Sequence, residues 1–561
     1  MIRTGLFSIF LLSRLVCAAQ DGTSPTYGVQ GTVVNAQTNQ PIARAEVILN
    51  QDYAVLTGNE GRFEFDQIPA GEFQVSVRRP GYIAVGNVNG PSSGRGFSPS
   101  PQPARRIRVG PDMPDLSFRL VPNGAIRGQV SLAGSDPADG MRVTAYGRRS
   151  RNGRSRWETA GTATTDGEGV FHLGDLAPGN YLLRTEPSVD RAGMISTRGA
   201  APWGYPALYY PGVSDSASAG ILTLTAGQTV EADFALTRQT FYPLIAQVRG
   251  VDPGTFAGFQ ILDSSGRAVG LPARYDPRGQ VVRANVPNGS WILQGHSSGP
   301  GRSPQELSFG RTAFQVTNGP VHVAITVVPV PRLRVTIRRE FTSTAEAPST
   351  TRSSAPGVNL QLDNAEPFAQ GEMISGLQFD PNADPLSETA SGTIDAMPGR
   401  YWVEADSWTA AYVRSVTSGG VDLASSPLVI SPDSANAPIE VVLRDDFGTI
   451  SGQITDQAGN ESGSSAGAAV GEVRDTYVYA IPLFPTTSTT LSTTFQSPGQ
   501  FKISQLAPGS YRVVACDSEQ EIDFHEPEAL AAWAGKGQVV SVERGGTATV
   551  QLELLHVEQQ P

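Results

Sequence analysis

Glu60 to Val75 read EGRFEFDQIPAGEFQV, and variants of this phrase return four more times along the chain. The later copies are EGVFHLGDLAPGNYLL from Glu168, RGQVVRANVPNGSWIL from Arg278, SGTIDAMPGRYWV from Ser391 and PGQFKISQLAPGSYRV from Pro498. The last glycine of each falls at Gly71, Gly179, Gly289, Gly399 and Gly509, spaced 108, 110, 110 and 110 residues apart. A period this regular marks a repeat architecture.

The phrase has a direct physical reading. Phe63 and Phe65 alternate with polar residues, as a half-buried strand requires. Pro69 and Gly71 then interrupt the ladder, because proline donates no hydrogen bond and glycine permits turn dihedrals. Phe73, Val75 and Val77 resume the alternation. The result is strand, tight turn, strand. The aromatic that follows each glycine (Phe73, Tyr181, Trp291, Tyr401, Tyr511) is expected to anchor a core. The fourth copy is the loosest, since its upstream strand lacks the aromatic.

Working outward, most units open on one strand (YGVQGTVVN, AIRGQVSL, YPLIAQV, RLRVTIRR, GTISGQIT) and close on a strand-turn-strand such as GILTLTAGQTVEADFALT. About seven short strands per unit, separated by turn residues, is the pattern of an antiparallel β-sandwich. The expected architecture is all-β: a signal peptide at 1–19, then about five sandwiches in tandem at 25–122, 123–238, 239–330, 331–445 and 446–561, called units 1 to 5 below. The single credible helix is short, Pro527 to Trp533, with proline at its start and Gly535 just past its end. The stretches 86–102, 342–356 and 459–470 read as surface loops.

Composition agrees. The 561 residues contain 61 Gly and 42 Pro and are only 17% charged, which suits turn-rich β structure and opposes long helices. A net charge of -11 makes nucleic acid a poor partner. Five histidines and two cysteines leave little material for a zinc cluster or a disulfide framework. The opening MIRTGLFSIFLLSRLVCAAQ has the charged, apolar, small-residue order of a secretory signal, with cleavage expected after Ala18 or Ala19. Cys17 would leave with it, and Cys516 would stand alone. No later segment is long and apolar enough to cross a membrane.

The phrase, with its GxV opening strand, resembles the carboxypeptidase regulatory-like domain, a transthyretin-like sandwich related to collagen-adhesin B-type domains. Unit 1 carries the resemblance best, in Gly31, Pro41, Ala45, Val47, Gly61, Phe63, Pro69, Gly71 and Phe73. Units 2 and 5 follow it well, whereas units 3 and 4 are degenerate. The resemblance implies an exported bacterial protein whose domains are non-catalytic appendages, spacers or binding modules. The broad fold is shared with carbohydrate-binding modules, so carbohydrate is the ligand class that resemblance suggests. Isopeptide bonds of the adhesin relatives need a lysine on an early strand, and the two lysines here, Lys502 and Lys536, both lie in unit 5.

Two stretches stand out as candidate sites. The first is PWGYPALYYPG, Pro202 to Gly212, where Trp203, Tyr205, Tyr209 and Tyr210 sit in a Pro/Gly-rich loop without strand alternation. Flat aromatic faces stack on sugar rings, and Tyr and Trp add hydrogen-bonding tips. The competing reading folds this loop back over its sandwich or between units; exposed rings favour the first reading and buried rings the second. Trp402, Trp408 and Tyr412 form a weaker cluster, with Trp402 expected to face outward. The second stretch, RRSRNGRSR, places Arg148, Arg149, Arg151, Arg154 and Arg156 on one predicted hairpin. Guanidinium forks suit an anionic glycan or phosphate, but such a run is more often a solvated hairpin tip.

Catalytic and metal readings are weaker. His525 and Glu528 have the H-x-x-E spacing of a metallocarboxypeptidase, yet Pro527 lies between them and no catalytic domain surrounds them. The expected state is a solvated loop before the short helix, with at most an adventitious site from Asp523, His525, Glu526 and Glu528. His172 falls in unit 2 and His296 and His322 in unit 3, with no nucleophile elbow. TTDGEG, from Thr164, reads as a β-turn rather than a calcium loop. The sequence therefore points to an exported, non-catalytic binding or adhesion protein with no cofactor and no metal. A glycan is the favoured partner. The alternative is a structural spacer or envelope assembly component that binds proteins.

Overall fold

A computed structural model describes residues 25–50, 52–84, 105–111, 113, 115–134, 136–189, 202–252, 254–298, 307–342, 358–365, 377–379, 388–407, 411–431, 436–455, 476–488, 491–496, 500–517 and 520–555. The signal-peptide stretch, Trp408 and His556 lie outside these residues. Buried apolar side chains gather in five principal cores, within 29–120, 126–236, 241–327, 333–443 and 450–554. All five lie between β-strands. The short helix runs Pro527–Ala531, with proline in its first turn. Cys516 is free and fully buried.

In units 1 to 4 the two strands of the repeated phrase belong to different sheets. In unit 1, Arg62–Pro69 pairs with the opening strand Thr26–Asn35, while Gly71–Arg78 pairs with Glu46–Leu49. The same split separates Val170–Leu176 from Gly179–Thr185; in unit 5 Gln500–Leu506 and Gly509–Cys516 pair with different strands, but Thr547–Leu555 bonds to both layers and makes them one continuous sheet. The split recurs in units 3 and 4. The Pro-Gly turn is thus the corner at which the chain crosses from one layer to the other. The aromatic after it faces the corner it has just turned. The hydroxyls of Tyr401 and Tyr511 donate to the carbonyls of Met397 and Ala507 at 2.9 and 2.7 Å. Tyr181 does the same to Ala177, and Trp291 Nε1 donates to Pro287 at 3.0 Å. Every acceptor lies four residues upstream, so a buried polar tip is satisfied by the turn it stabilises.

One feature departs from an all-antiparallel expectation. In every unit the last strand lies parallel to the first: Leu116–Pro122 on Thr26–Asn35, Thr229–Glu231 on Gly124–Ser131, and Val321–Thr326 on Gln239–Arg249. Ile439–Arg444 lies so on Arg332–Glu340, and Thr547–Leu555 on Gly448–Thr455. Parallel neighbours need a long crossover, and here the rest of the sandwich supplies it. A chain that enters at one end of such a unit leaves at the other, which strings the units in series.

The opening-strand glycine has a steric cause. A Cβ at Gly31, Gly128 or Gly452 would sit 2.2, 2.0 or 2.1 Å from the carbonyl oxygen of Leu116, Ala232 or Val550 on the closing strand. On its other side each glycine pairs with a buried phenylalanine: Phe63, Phe171 or Phe501. Units 3 and 4 fill the same place differently, with Ala246 opposite Val282 and Val335 opposite Gly392.

Candidate functional site

The run RRSRNGRSR forms the end of a long β-ribbon made by Arg142–Arg151 and Arg154–Thr164. Asn152 and Gly153 take φ of 52° and 73° at its tip, the left-handed pair that a two-residue hairpin turn demands. The base of the ribbon packs in unit 2 through Val143 and Ala145. Its tip does not stand in solvent.

The tip docks on units 4 and 5. Asn152 Nδ2 donates to both carboxylate oxygens of Glu404, at 2.9 and 2.8 Å. Arg156 pairs with Asp363, and the Arg154 guanidinium lies 3.7 Å from the centre of the Trp402 ring. From unit 5, Glu526 accepts the Ser155 N–H at 2.7 Å and lies 3.5 Å from Arg148. The His525 N–H donates to the Gly153 carbonyl at 3.0 Å. The Phe524 ring covers Gly153 so closely that an added Cβ would fall 2.5 Å from it. Arg149 stays on its own unit, beside the Tyr181 hydroxyl, and Arg151 lies 3.9 Å from Glu158.

The solvated-tip expectation is therefore corrected: three of the five arginines hold units 4 and 5, where acidic side chains already answer their charge. Trp402 does face outward from its own strand, but Arg154 covers it. The loop before the helix is likewise not simply solvated, since Phe524 is buried and His525 Nε2 donates to the Ser488 carbonyl at 3.0 Å. Among the described residues, no three His, Cys, Asp or Glu side chains gather as a metal site would require.

Burial sets the electrostatics of this joint. Arg156 is 8% exposed and Glu404 5%, so both ions have left water and depend on their partners. Desolvation, reinforced by the neighbouring Asp363, pushes the Glu404 carboxyl up to about 7; Asn152 opposes the shift. Asp363 is also raised by burial, against the pull of Arg156, Arg151 and Arg154. Burial, with Arg154 alongside, lowers His525 to about 4.

The aromatic loop makes a second joint, between units 2 and 3. Ser188–Val189 and Trp203–Tyr205, both within 123–238, extend the sheet of unit 3 through Thr240 and Gln239. Tyr209 is 1% exposed and accepts a 3.1 Å hydrogen bond from Arg267 of unit 3, whose guanidinium also lies 3.7 Å from the Tyr146 ring centre. Burial lowers the Arg267 pKa to about 9. Tyr210 packs edge-on against Phe234, with centroids 5.9 Å apart. Trp203 and Tyr205 are half-buried and stand at 84° to each other, with Arg238 3.4 Å from the Trp203 ring centre. The loop does not present four rings to solvent. Tyr209 has no open face, and Tyr210 is committed to the core.

A cleft of about 220 Å³ opens where units 4 and 5 meet, between Asp406, Tyr412, Phe484, Ser488, Gln505 and Tyr511. No residue of either predicted stretch lines it, but Phe524, which covers Gly153 of the hairpin, does.

Residues 28–89 match the carboxypeptidase regulatory-like domain. The matched stretch holds the first copy of the repeated phrase and its corner, the part of the chain where the resemblance is most complete. Beyond this carboxypeptidase regulatory-like unit, solved structures offer distant likenesses. The Bacillus anthracis TIE protein is 12% identical over 54% of this chain and 50% of its own, with a TM-score of 0.17. A streptococcal ancillary pilin is 11% identical over 54% of this chain and 100% of its own, with a TM-score of 0.18. The minor pilin GBS52 of Streptococcus agalactiae is 13% identical over 37% of this chain and 98% of its own, with a TM-score of 0.17. The match thus spans about half the length of the TIE protein. No curated protein matches the chain.

The hairpin joint leaves no signal in the sequence, whereas packing of the aromatic loop between units is one of the two readings its sequence offers. Arg156 meets Asp363 across 207 positions and Ser155 meets Glu526 across 371, and no periodicity connects such positions. The Asn-Gly dipeptide signals the turn, not its destination.

Proposed function

We propose that this protein is an exported, non-catalytic scaffold: an array of β-sandwiches whose units are latched to one another to hold a fixed shape in the cell envelope or outside the cell. The observation that carries this reading is the docked arginine hairpin. Units 2, 4 and 5 commit charged groups to each other, the buried Arg156 and Glu404 and the half-buried Asp363 among them. The aromatic loop, the best ligand-binding candidate in the sequence, supplies two of its four rings to cores and joints. Export is supported by the leader-like first twenty residues. Among the described residues no helix is long and apolar enough to cross a membrane. Partners of such a scaffold are other envelope or extracellular proteins, met at sheet edges and inter-unit grooves.

A second reading rests on Trp203 and Tyr205. Both keep part of their surface in solvent, and two rings near a right angle can cradle a sugar. Carbohydrate binding is therefore retained as the alternative, confined to these two residues.

A glycan screen of the mature chain, with Trp203→Ala/Tyr205→Ala beside it, separates the two. The scaffold reading expects no saturable glycan binding, and recovery of the chain in exported fractions. Saturable binding that is lost in the variant, with melting unchanged, would transfer the function to the glycan reading.

A further inference from the structure

The latch described above consists of two separately folded parts. The hairpin tip is carried by unit 2. Its dock is carried by units 4 and 5 and consists of Asp363, Trp402, Glu404, Phe524 and Glu526. Every docking contact joins residues more than 200 positions apart. The Asn-Gly turn preforms the ligand.

The chemistry of the contact also matters. It is made mainly of charge-assisted hydrogen bonds and one cation–π stack, with Phe524 as the principal apolar element. Polar contacts between units resemble transient protein interfaces and open without exposing a large apolar face. Nothing in the dock distinguishes the hairpin of its own chain from that of another copy. Only effective concentration favours the internal partner.

We infer that the units 4–5 dock is a self-recognition site: the arginine hairpin of a second copy can occupy it, giving a reciprocal dimer in which each chain's Arg154 and Arg156 enter the other's dock. This rests on the latch reading and extends it. Exchange of identical elements needs no new contact. A reciprocal pair fills both docks, whereas a one-way chain of copies leaves one hairpin and one dock empty at its ends. Crowding of chains at a surface raises the intermolecular concentration toward the internal one, so the same latch that shapes a lone chain joins neighbours.

Charge exchange tests this. One full-length chain carries Arg148→Glu/Arg156→Glu, a second carries Glu526→Lys/Asp363→Lys, the direct partners of those two arginines, and a third carries all four changes. Light scattering gives mass, and small-angle X-ray scattering gives the radius of gyration. The expected result is that each double variant alone is monomeric and more extended than wild type. Mixed one to one, they form a particle of twice the monomer mass, because both exchanged joints are then complementary. The four-fold variant becomes compact again within one chain. A mixture that stays monomeric while the four-fold variant is compact overturns the exchange and leaves the latch standing. A wild type as extended as the hairpin variant overturns the latch itself. Should a double variant fail to fold, wild-type chain refolded at high concentration and then diluted must contain a dimer fraction absent after dilute refolding. Monomer alone from both refolding conditions overturns the proposal.

Discussion

Units 1, 2 and 5 build the middle of the sandwich from a glycine facing a phenylalanine, whereas units 3 and 4 use alanine facing valine and valine facing glycine. The comparison shows what the repeat conserves. The volume shared by the opening strand and its neighbour stays filled, but which strand supplies it changes. The corner behaves in the opposite way. Trp291 and Tyr401 of the degenerate units satisfy their polar tips on the turn four residues upstream, just as Tyr181 and Tyr511 do. Degeneracy in the sequence is therefore repacking of one core position, not loss of the fold.

The largest effect should come from breaking the glycine side of that comparison. Gly452→Val meets a backbone carbonyl that cannot rotate away, and should cost unit 5 about 3 kcal/mol or more. Ala246→Val at the corresponding place in unit 3, which already carries a Cβ, should cost about 1–3 kcal/mol. Calorimetry resolving the separate unit transitions would check both, and equal costs would mean that the glycine is incidental.

The comparison can be sharpened by converting one type into the other. Val282→Phe alone overpacks unit 3 by about 1–3 kcal/mol. Adding Ala246→Gly should return part of that loss, a favourable coupling readable in a double-mutant cycle. Additive costs would show that the two positions do not share a volume.

Smaller still is the corner. Tyr401→Phe removes one hydrogen bond to Met397 and should lower the unit 4 transition by about 1 kcal/mol. Tyr511→Phe should do the same for unit 5, because the corner is common to both classes of unit.

The joint between signature units 2 and 5 and degenerate unit 4 adds a pH dependence of smaller size. Glu404 titrates near 7 when docked and near its ordinary 4.5 when free, so closing takes up a proton between those values. Acidification through that window favours closure. His525 is held near 4 when docked against an ordinary 6.5, so closing releases a proton and acidification opposes closure. Asp363 and Asp523, both raised by burial, act in the sense of Glu404. The charged groups around them are Arg148, Arg151, Arg154, Arg156 and Glu526. In Glu404→Gln the balance should move toward opening below pH 6.5. In His525→Gln closure should strengthen from pH 7 down to pH 4.5. Radius of gyration against pH reads both, and identical profiles for the two variants would contradict the assignment.

Much of the fold was legible because the repeated phrase carries it locally: alternation, Pro-Gly corner and aromatic anchor are all contained in sixteen residues. The parallel closing strand was not, since an alternating run reads the same in either direction. At the candidate sites, sequence showed which residues were unusual but not what they faced. Tyr209 looked like a loop ring and proved to be a buried partner of Arg267; Arg156 looked solvated and meets Asp363. Long-range charge pairing leaves no local pattern to read.

The scaffold proposed above depends on the arginine hairpin locking units 2, 4 and 5 into one body. Small-angle scattering of the wild-type chain against Arg154→Glu/Arg156→Glu, in the same buffer and below the concentration of any association, tests it most directly. A clear increase in radius of gyration is expected in the variant, with the melting of the individual sandwiches unchanged. Superimposable scattering curves would contradict it.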